Sequence, residues 1–189
     1  SDAATVLLGL NGLWCLGLSL GRLKAVGAQL GSDVPFFLHG GVALVEGRGE
    51  IVCPFDSRDR AEFWAVLLVP DPPSIPGKTQ ALYNSLEQAS FTRGESSWRL
   101  AEELIRTGAV EPSLLFNVFE SVAWDVFPGL DGCRELFQEC GASSVHLAGS
   151  GPVLFTLLGD RDRAEAICGS LRREGMEAHA VQALGRDHV

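Results

Sequence analysis

One carboxylate stands out because of its neighbours. Asp33 lies in the segment GSDVPFF, residues 31–37, between small residues and a proline that two phenylalanines follow. Because a proline disfavours helix in the residue before it, we expect Val34 to be extended and Asp33 to occupy a rigid, non-helical corner just after a helix. We expect the two phenylalanines to anchor that corner in a core. A carboxylate mounted in this way can act as a general base, and a helix-end carboxylate bonded to nearby amides has the same sequence pattern.

A second candidate is the glycine-rich segment LAGSGPVLF, residues 147–155, which lies between two apolar runs. Its glycines permit positive φ angles and close approach of the backbone, so the amides of Gly149, Ser150 and Gly151 could form a nest that binds an anion. A tight connection between two strands gives the same pattern. These residues alone leave both interpretations open.

A third segment, VPDPPSIPGKT at residues 69–79, places GKT between a predicted strand and a predicted helix, which is the context of a Walker A loop. Pro72 occupies the position of that loop's first glycine, and the prolines of the segment remove N–H groups that the loop would direct at phosphate. The sequence therefore favours a rigid connection. Thr79 and Tyr83, four residues apart, share a helix face and could line a pocket or take part in ordinary packing.

The apolar spacing predicts the elements that hold these segments. Strands interleave with helices without a regular βα repeat, which favours the α+β class. The charged segment at 57–60 marks a boundary, so we predict domains at residues 1–60 and 61–189. The predicted helices lie near residues 3–14, 20–30, 78–88, 97–107, 112–126, 132–140 and 161–173, and the predicted strands are 42–45, 51–52, 63–69, 144–148, 153–158 and 177–183.

Composition excludes some classes of function. The 189 residues carry a formal net charge of −9 and only two lysines, Lys24 and Lys78, which argues against nucleic acid as the main partner. Neither an export signal nor a membrane-spanning apolar run is visible, so we predict a cytoplasmic protein without a membrane partner. The five cysteines are dispersed among apolar neighbours without zinc spacing, so we expect them to be reduced core residues, and no residue is assigned as a metal ligand.

Five stretches, taken in order, resemble one family. They are SDAATVLLGLN at residue 1, LGSDVPFF, EGRGE, NVFE and GSGP. Together they resemble the GHMP kinase superfamily from residue 1 to about residue 158. The resemblance implies the carboxy-terminal part of a two-domain α+β kinase: a remnant of a ribosomal-protein-S5-like kinase domain, followed by a ferredoxin-like carboxy-terminal domain.

The resemblance also implies a reaction. This is the ATP-dependent phosphorylation of the 2-hydroxyl of 4-diphosphocytidyl-2-C-methyl-D-erythritol in non-mevalonate isoprenoid synthesis, with ATP and Mg²⁺ as cofactors. Phosphoryl transfer depends mainly on positioning and on stabilisation of charge, which suits a carboxylate base and a turn of amides. The implied site residues are Asp33 as the catalytic base, Ser1, Asp2, Gly149, Ser150 and Gly151 at the ATP phosphates, and Thr79 and Tyr83 at the substrate.

Part of the family pattern has no counterpart in the chain. The family's catalytic lysine and most of its glycine-rich ATP loop would precede Ser1, and neither Lys24 nor Lys78 matches that lysine. We therefore expect the 189 residues alone to be an incomplete, inactive portion of such a kinase, with exposed apolar surface that favours self-association. Two alternatives stay open: a stand-alone α+β binding or structural module that needs a partner chain, and a GHMP kinase for another small alcohol such as homoserine or mevalonate.

Overall fold

The computed structural model describes residues 1–55, 63–71 and 77–183. The described residues fall into two compact units: residues 1–55 form the first, and residues 63–71 and 77–183 form the second. The charged boundary predicted at 57–60 lies outside the described residues, so the domain limits stay a prediction. None of the described helices is both long enough and apolar enough to cross a lipid bilayer.

The first unit consists of three helices and a β-hairpin. Ser19 begins the second helix by accepting a hydrogen bond from the Arg22 amide at 3.3 Å, and Gly31 ends it. A small core forms from Ala4, Leu23, Val34 and Leu38. The elements are α1 Asp2–Leu13, α2 Leu20–Leu30, α3 Val34–Phe37, β1 Ala43–Glu46 and β2 Ile51–Pro54, with β1 and β2 antiparallel.

The corner after α2 differs from the prediction. Val34 is not extended but is the first residue of α3, because Pro35 lies in the first helical turn, where a missing N–H breaks no hydrogen bond. Val34 and Leu38 are buried in the core, whereas Phe36 is only half-buried and Phe37 is 40% exposed. The aliphatic residues, and not the predicted phenylalanines, therefore anchor this corner.

The second unit is built on a four-stranded antiparallel sheet with the strand order β4-β5-β3-β6. The chain runs strand, helices, strand, strand, helix, strand, which is the ferredoxin-like arrangement, and the α+β class is confirmed. The elements are β3 Trp64–Val69, α4 Lys78–Ser85, α5 Glu95–Thr107, α6 Glu120–Val126, α7 Leu130–Glu139, β4 His146–Leu147, β5 Leu154–Leu158, α8 Arg161–Arg173 and β6 Glu177–Gln182, with 3₁₀ turns at Gln88–Ser90 and Pro112–Leu114.

One continuous core stabilises the second unit. Val66 and Leu68 of β3 are fully buried, as is Leu154 of β5. Helix α8 packs against β3, β5 and β6, and its N-cap is Asp160, which accepts a hydrogen bond from the Arg163 amide at 2.7 Å. The helix predicted near residues 161–173 is confirmed, and its buried residues are Ala164, Ile167, Cys168 and Leu171.

Two expectations from the sequence are wrong. The helix predicted over 112–126 is interrupted, because residues 112–114 form a single 3₁₀ turn and α6 begins only at Glu120. The cysteines are free thiols as expected, but they are not all core residues. Cys168 is buried, Cys133 and Cys140 are partly buried, and Cys15 and Cys53 are exposed.

Candidate active site

The turn between β4 and β5 is tightly closed. The Ala148 amide donates to the Val153 carbonyl at 2.8 Å, and the Gly151 amide donates to the Ala148 carbonyl at 2.9 Å. Gly149 and Gly151 have φ angles of +55° and +64°, which favour glycine. A Cβ atom on Gly151 would lie 2.7 Å from Leu147 Cδ1, whereas one on Gly149 would meet no atom within 4 Å. Steric packing therefore requires glycine at 151, and the turn conformation favours it at 149.

The structure corrects the predicted nest of three amides. The Gly151 amide is unavailable because it closes the turn. The amides of Gly149 and Ser150 donate to no other residue in the described part of the chain. Gly149 is exposed and Ser150 is half-buried, so both amides remain available for an acceptor from solution. Two free amides in succession on a turn can receive an anion.

Two side chains of the NVFE segment hold β4 and the start of the turn. Asn117 Nδ2 donates to the carbonyls of Leu147 and Gly149 at 2.9 and 2.8 Å, and Asn117 Oδ1 accepts from the Phe119 amide at 3.0 Å. Glu120 Oε1 accepts from the Leu147 amide at 2.8 Å. These bonds explain the interrupted helix, since a side chain that bonds its own backbone and a distant turn competes with helical geometry.

The GKT segment meets the same turn from the other side. Lys78 Nζ donates to the Gly151 carbonyl at 2.8 Å, and Thr79 Oγ1 lies 3.3 Å from Ser150 Oγ. Tyr83, one helical turn further along α4, is 53% exposed and packs edge-on against the Phe119 ring, with 5.0 Å between the ring centroids. The structure thus brings Thr79 together with the glycine turn and leaves the Tyr83 ring accessible beside it. Pro72, Pro73 and Pro76 of the Walker-like segment lie outside the described residues.

Asp33 belongs to the first unit, and its carboxylate is exposed. The side chain does not cap α3, and it forms neither a hydrogen bond nor an ion pair with any residue that the structure describes. Only its backbone carbonyl is used, as the acceptor for the Phe37 amide at 3.3 Å. Of the two interpretations of the sequence, the carboxylate bonded to nearby amides is wrong, and Asp33 is free to meet a ligand.

The EGRGE turn braces the segment before Asp33. Gly49 has a φ of +116°, and a Cβ atom there would overlap the backbone carbonyl oxygen of Ser32. The turn is itself ordered, because Glu50 Oε2 accepts from the Arg48 amide at 2.6 Å. Hydrogen bonds from the Glu50 and Arg48 amides hold the pKa of the Glu50 carboxyl below its usual value. The rigid turn of the hairpin therefore packs against the backbone just before Asp33.

The other two predicted phosphate contacts lie at the start of α1, in the same unit as Asp33. Ser1 precedes the helix, and its carbonyl accepts a hydrogen bond from the Thr5 amide at 3.0 Å. Its hydroxyl donates to the Asp2 carboxylate at 3.2 Å instead of capping the helix. Both residues are exposed. Their predicted role at the ATP phosphates stays a prediction.

Sequence reasoning missed the functional contacts of Asn117, Glu120 and Lys78. Asn117 and Glu120 were visible only as part of a short motif, although a polar side chain inside the apolar run LLFNVF was a signal for a tertiary hydrogen bond. Lys78 was visible only within a loop that fails as a Walker motif. Among the described residues, no group of three His, Cys, Asp or Glu side chains is placed to hold a metal ion.

Comparison with known proteins first defines the class. Residues 85–177 match the family model "GHMP kinases C terminal", and this region lies within the second unit. Residues 85–177 are thus a GHMP kinase carboxy-terminal domain, and the resemblance that the motifs indicated is confirmed.

The individual relatives are more specific. The chain is 49% identical over 185 residues to the 4-diphosphocytidyl-2-C-methyl-D-erythritol kinase of Dehalococcoides mccartyi, covering 98% of this chain and 64% of the relative. It is 35% identical to the kinase of the same name from Shouchella clausii, covering 97% of this chain and 60% of the relative. The chain therefore spans less than two thirds of the length of these curated relatives.

Solved structures agree with this class. A crystal structure of 4-(cytidine 5'-diphospho)-2C-methyl-D-erythritol kinase superposes with a TM-score of 0.77 at 29% identity, covering 97% of this chain and 64% of that one. The homoserine kinase of Cytophaga hutchinsonii has a TM-score of 0.63 at 17% identity, covering 98% of this chain and 65% of that one, and supports the fold alone.

Proposed function

We propose that the protein carrying this chain is an ATP-dependent kinase that phosphorylates the 2-hydroxyl of 4-diphosphocytidyl-2-C-methyl-D-erythritol. The observation that carries the proposal is the clamped turn at residues 149–151 with its two free amides, within a chain whose relatives bear the name of this kinase. Conversion of an alcohol to a phosphate ester requires a site that binds the phosphates of the donor and a base that accepts the proton of the hydroxyl. The glycine turn supplies the first and Asp33 the second.

The turn is suited to the phosphates of ATP. The Gly149 and Ser150 amides form no hydrogen bond with other described residues. These two amides are therefore not occupied by a carboxylate of the described residues, which would repel phosphate. The predicted contacts of Ser1 and Asp2 at the start of α1 belong to the same proposal. Mg²⁺ that arrives with ATP would neutralise phosphate charge, and it would take most of its ligands from phosphate oxygens and water, as this ion commonly does.

Asp33 acts on the acceptor. Its exposed carboxylate has no described partner, so it can accept a hydrogen bond from the 2-hydroxyl and then its proton. The hydroxyl oxygen forms a bond to the γ-phosphorus of ATP, the bond between that phosphorus and the β,γ-bridging oxygen breaks, and ADP leaves. Thr79 and Tyr83, which lie on the exposed side of α4 beside the turn, are proposed to contact the acceptor.

The test uses the complete protein, because the 189 residues span only 64% of the relative from Dehalococcoides mccartyi. Wild type, Asp33→Asn and the control Asp125→Asn are incubated with ATP and the diphosphocytidyl alcohol, and the product is measured by mass spectrometry. Asp125 is likewise an exposed aspartate. We expect Asp33→Asn to lower kcat at least about 100-fold because the general base is lost. The KM for ATP and the activity of Asp125→Asn should change little.

The same assay separates the alternatives. Phosphorylation of homoserine or mevalonate in preference to the diphosphocytidyl alcohol would keep the kinase and change its substrate. Failure of the complete protein to phosphorylate any of the three alcohols would instead favour a binding or structural module. Retained turnover by Asp33→Asn would remove Asp33 from the mechanism.

A cytoplasmic location and self-association are further parts of the proposal. ATP and a diphosphocytidyl alcohol are highly charged, so an enzyme that uses both is expected in the compartment where such metabolites are made. Apolar side chains exposed on and just after α1, those of Val6, Leu13 and Trp14, support association with another apolar surface.

A further inference from the structure

Lys78 carries a charge that no described acid neutralises. It is one of only two lysines in a chain with a net charge of −9. Its ammonium group is half-buried and donates to the neutral carbonyl of Gly151 at 2.8 Å. No carboxylate lies within 4.0 Å of it in the described ranges. Because an ammonium group has three donors, two remain for a ligand.

Other donors converge on the same place. Thr79 Oγ1 and Ser150 Oγ lie 3.3 Å apart, directly beside the turn that Lys78 contacts. The amides of Gly149 and Ser150 are free of described acceptors. These groups are one cation, two hydroxyls and two amides, and none of the contacts named here involves a carboxylate. Such a set of donors suits an anion with several oxygens.

The GKT segment acquires a role here that differs from a Walker loop. In a Walker loop, the lysine and the hydroxyl act beside amides of their own loop. In this protein, Lys78 and Thr79 reach a turn more than seventy residues away in the sequence, and that turn supplies the amides. The lysine and hydroxyl thus come from the start of α4, and the nest comes from the β4–β5 turn.

We propose that Lys78, Thr79 and Ser150 form a diphosphate-binding subsite with the amides of Gly149 and Ser150, in which Lys78 provides the positive charge. This inference rests on the proposed function, which supplies two possible sources of a diphosphate: ATP and the diphosphocytidyl group of the acceptor. Lys78 is a binding residue in this account, and the deprotonation step is assigned to Asp33.

A purely structural role for Lys78 makes different predictions. If Lys78 only supports the Gly151 carbonyl, its removal should lower thermal stability and should not change how ligand affinity depends on salt. If it binds phosphate, its removal should weaken diphosphate binding and flatten the salt dependence, because one ionic contact is lost.

The experiment measures binding of ADP and of CDP to the complete protein by calorimetry, at low and high salt. The variants are Lys78→Met, the charge-retaining Lys78→Arg, and the matched control Lys24→Met, which changes the other half-buried lysine. We expect Lys78→Met to weaken one of the two diphosphates about 10- to 100-fold, as for the loss of a charge-assisted hydrogen bond. We expect Lys78→Arg and Lys24→Met to stay within about threefold of wild type.

Weaker ADP binding assigns the whole subsite, including Thr79, to ATP. Weaker CDP binding assigns it, including the Gly149 and Ser150 amides, to the acceptor in place of ATP. Unchanged affinities and salt dependence in Lys78→Met overturn the subsite, as does a wild type that binds neither diphosphate. If Lys78→Met does not fold, Lys78→Gln provides the same comparison, because it also removes the charge. If the protein phosphorylates the alcohol but diphosphate binding does not depend on Lys78, only the subsite is rejected. If binding depends on Lys78 but the alcohol is not phosphorylated, only the proposed function is rejected.

Discussion

Two glycines of the β1–β2 turn tolerate a side chain to different extents. At Gly49, a Cβ atom would overlap the backbone carbonyl of Ser32, which cannot move without moving Asp33. At Gly47, a Cβ atom would approach the carboxylate of Glu50 at 2.6 Å, and the end of that side chain can rotate away. Both positions have a positive φ, so both replacements carry backbone strain. Only one of them should displace the proposed base.

We therefore expect Gly49→Ala to lower kcat of the complete protein at least about tenfold, because a misplacement of about 1 Å can cost up to 100-fold. Its KM for ATP should change much less. Gly47→Ala is the matched control and should cost about 1 kcal/mol of stability from backbone strain, with kcat preserved. Steady-state kinetics and thermal unfolding of both variants provide the test. Equal kcat values in the two variants would show that the hairpin does not position Asp33.

At the level of elements, the segment before α6 bonds directly to the glycine turn. Asn117 bonds two carbonyls, those of Leu147 and Gly149, and both would lose their partner if its amide were removed. Leu147 is buried, so its unpaired carbonyl costs about 1–3 kcal/mol. Gly149 is exposed, so its carbonyl can bond to water instead. The exposed Asn84 of α4 offers a control, since it only accepts from Gln80 at 2.9 Å on the same helix.

Asn117→Ala is expected to reduce the free energy of unfolding by about 1–3 kcal/mol and to raise the KM for ATP, because the Gly149 and Ser150 amides lose their orientation. Urea denaturation and kinetics of the complete protein measure the two effects. Asn84→Ala should change neither by more than about 0.5 kcal/mol. A normal KM for ATP in Asn117→Ala would contradict the proposed link between this segment and phosphate binding.

Element prediction succeeded where local signals agreed. The helix predicted from apolar spacing near residues 161–173 matches the limits of α8. Prediction failed at 112–126, where Pro112 and the apolar run favoured one helix. The competing hydrogen bonds of Asn117 reach carbonyls 30 and 32 residues further along the chain, and local spacing carries no information about them.

At the scale of the whole molecule, cysteine reactivity should report the packing of the second unit. Cys168 is buried in its core. Burial raises the pKa of the Cys133 and Cys140 thiols, and the carboxylates of Glu174 and Glu139 raise that of Cys140 further. The thiolate is the reactive form, so a raised pKa leaves less of it at a given pH.

In the complete protein, we expect fast alkylation of Cys133 and Cys140 to require a higher pH than alkylation of an ordinary thiol. Cys168 should stay protected until denaturant unfolds the second unit. Stability contributed by the two neutral thiols is present below the pKa of an unfolded thiol and is lost as pH rises through the raised values. Mass spectrometry of peptides after timed labelling gives each rate. Rapid labelling of Cys168 in the native protein would contradict the core described here.

The contacts of the glycine turn in the second unit illustrate what a sequence cannot reveal alone. Local patterns of proline, glycine and an isolated carboxylate made Asp33 and the glycine turn candidates, and the family resemblance then implied their roles. The meeting of Lys78, Thr79 and Asn117 at residues 149–151 depends on the order of strands in the sheet and on long-range contacts. The available amides were likewise overestimated, since closure of the turn uses one of them.

The most direct test of the central claim is formation of product by the complete protein from ATP and 4-diphosphocytidyl-2-C-methyl-D-erythritol, followed by mass spectrometry. The account predicts one phosphate added to the alcohol for each ADP released, with the rate at least about 100-fold lower in Asp33→Asn. Absence of the phosphorylated alcohol from the reaction of folded wild-type protein would contradict it.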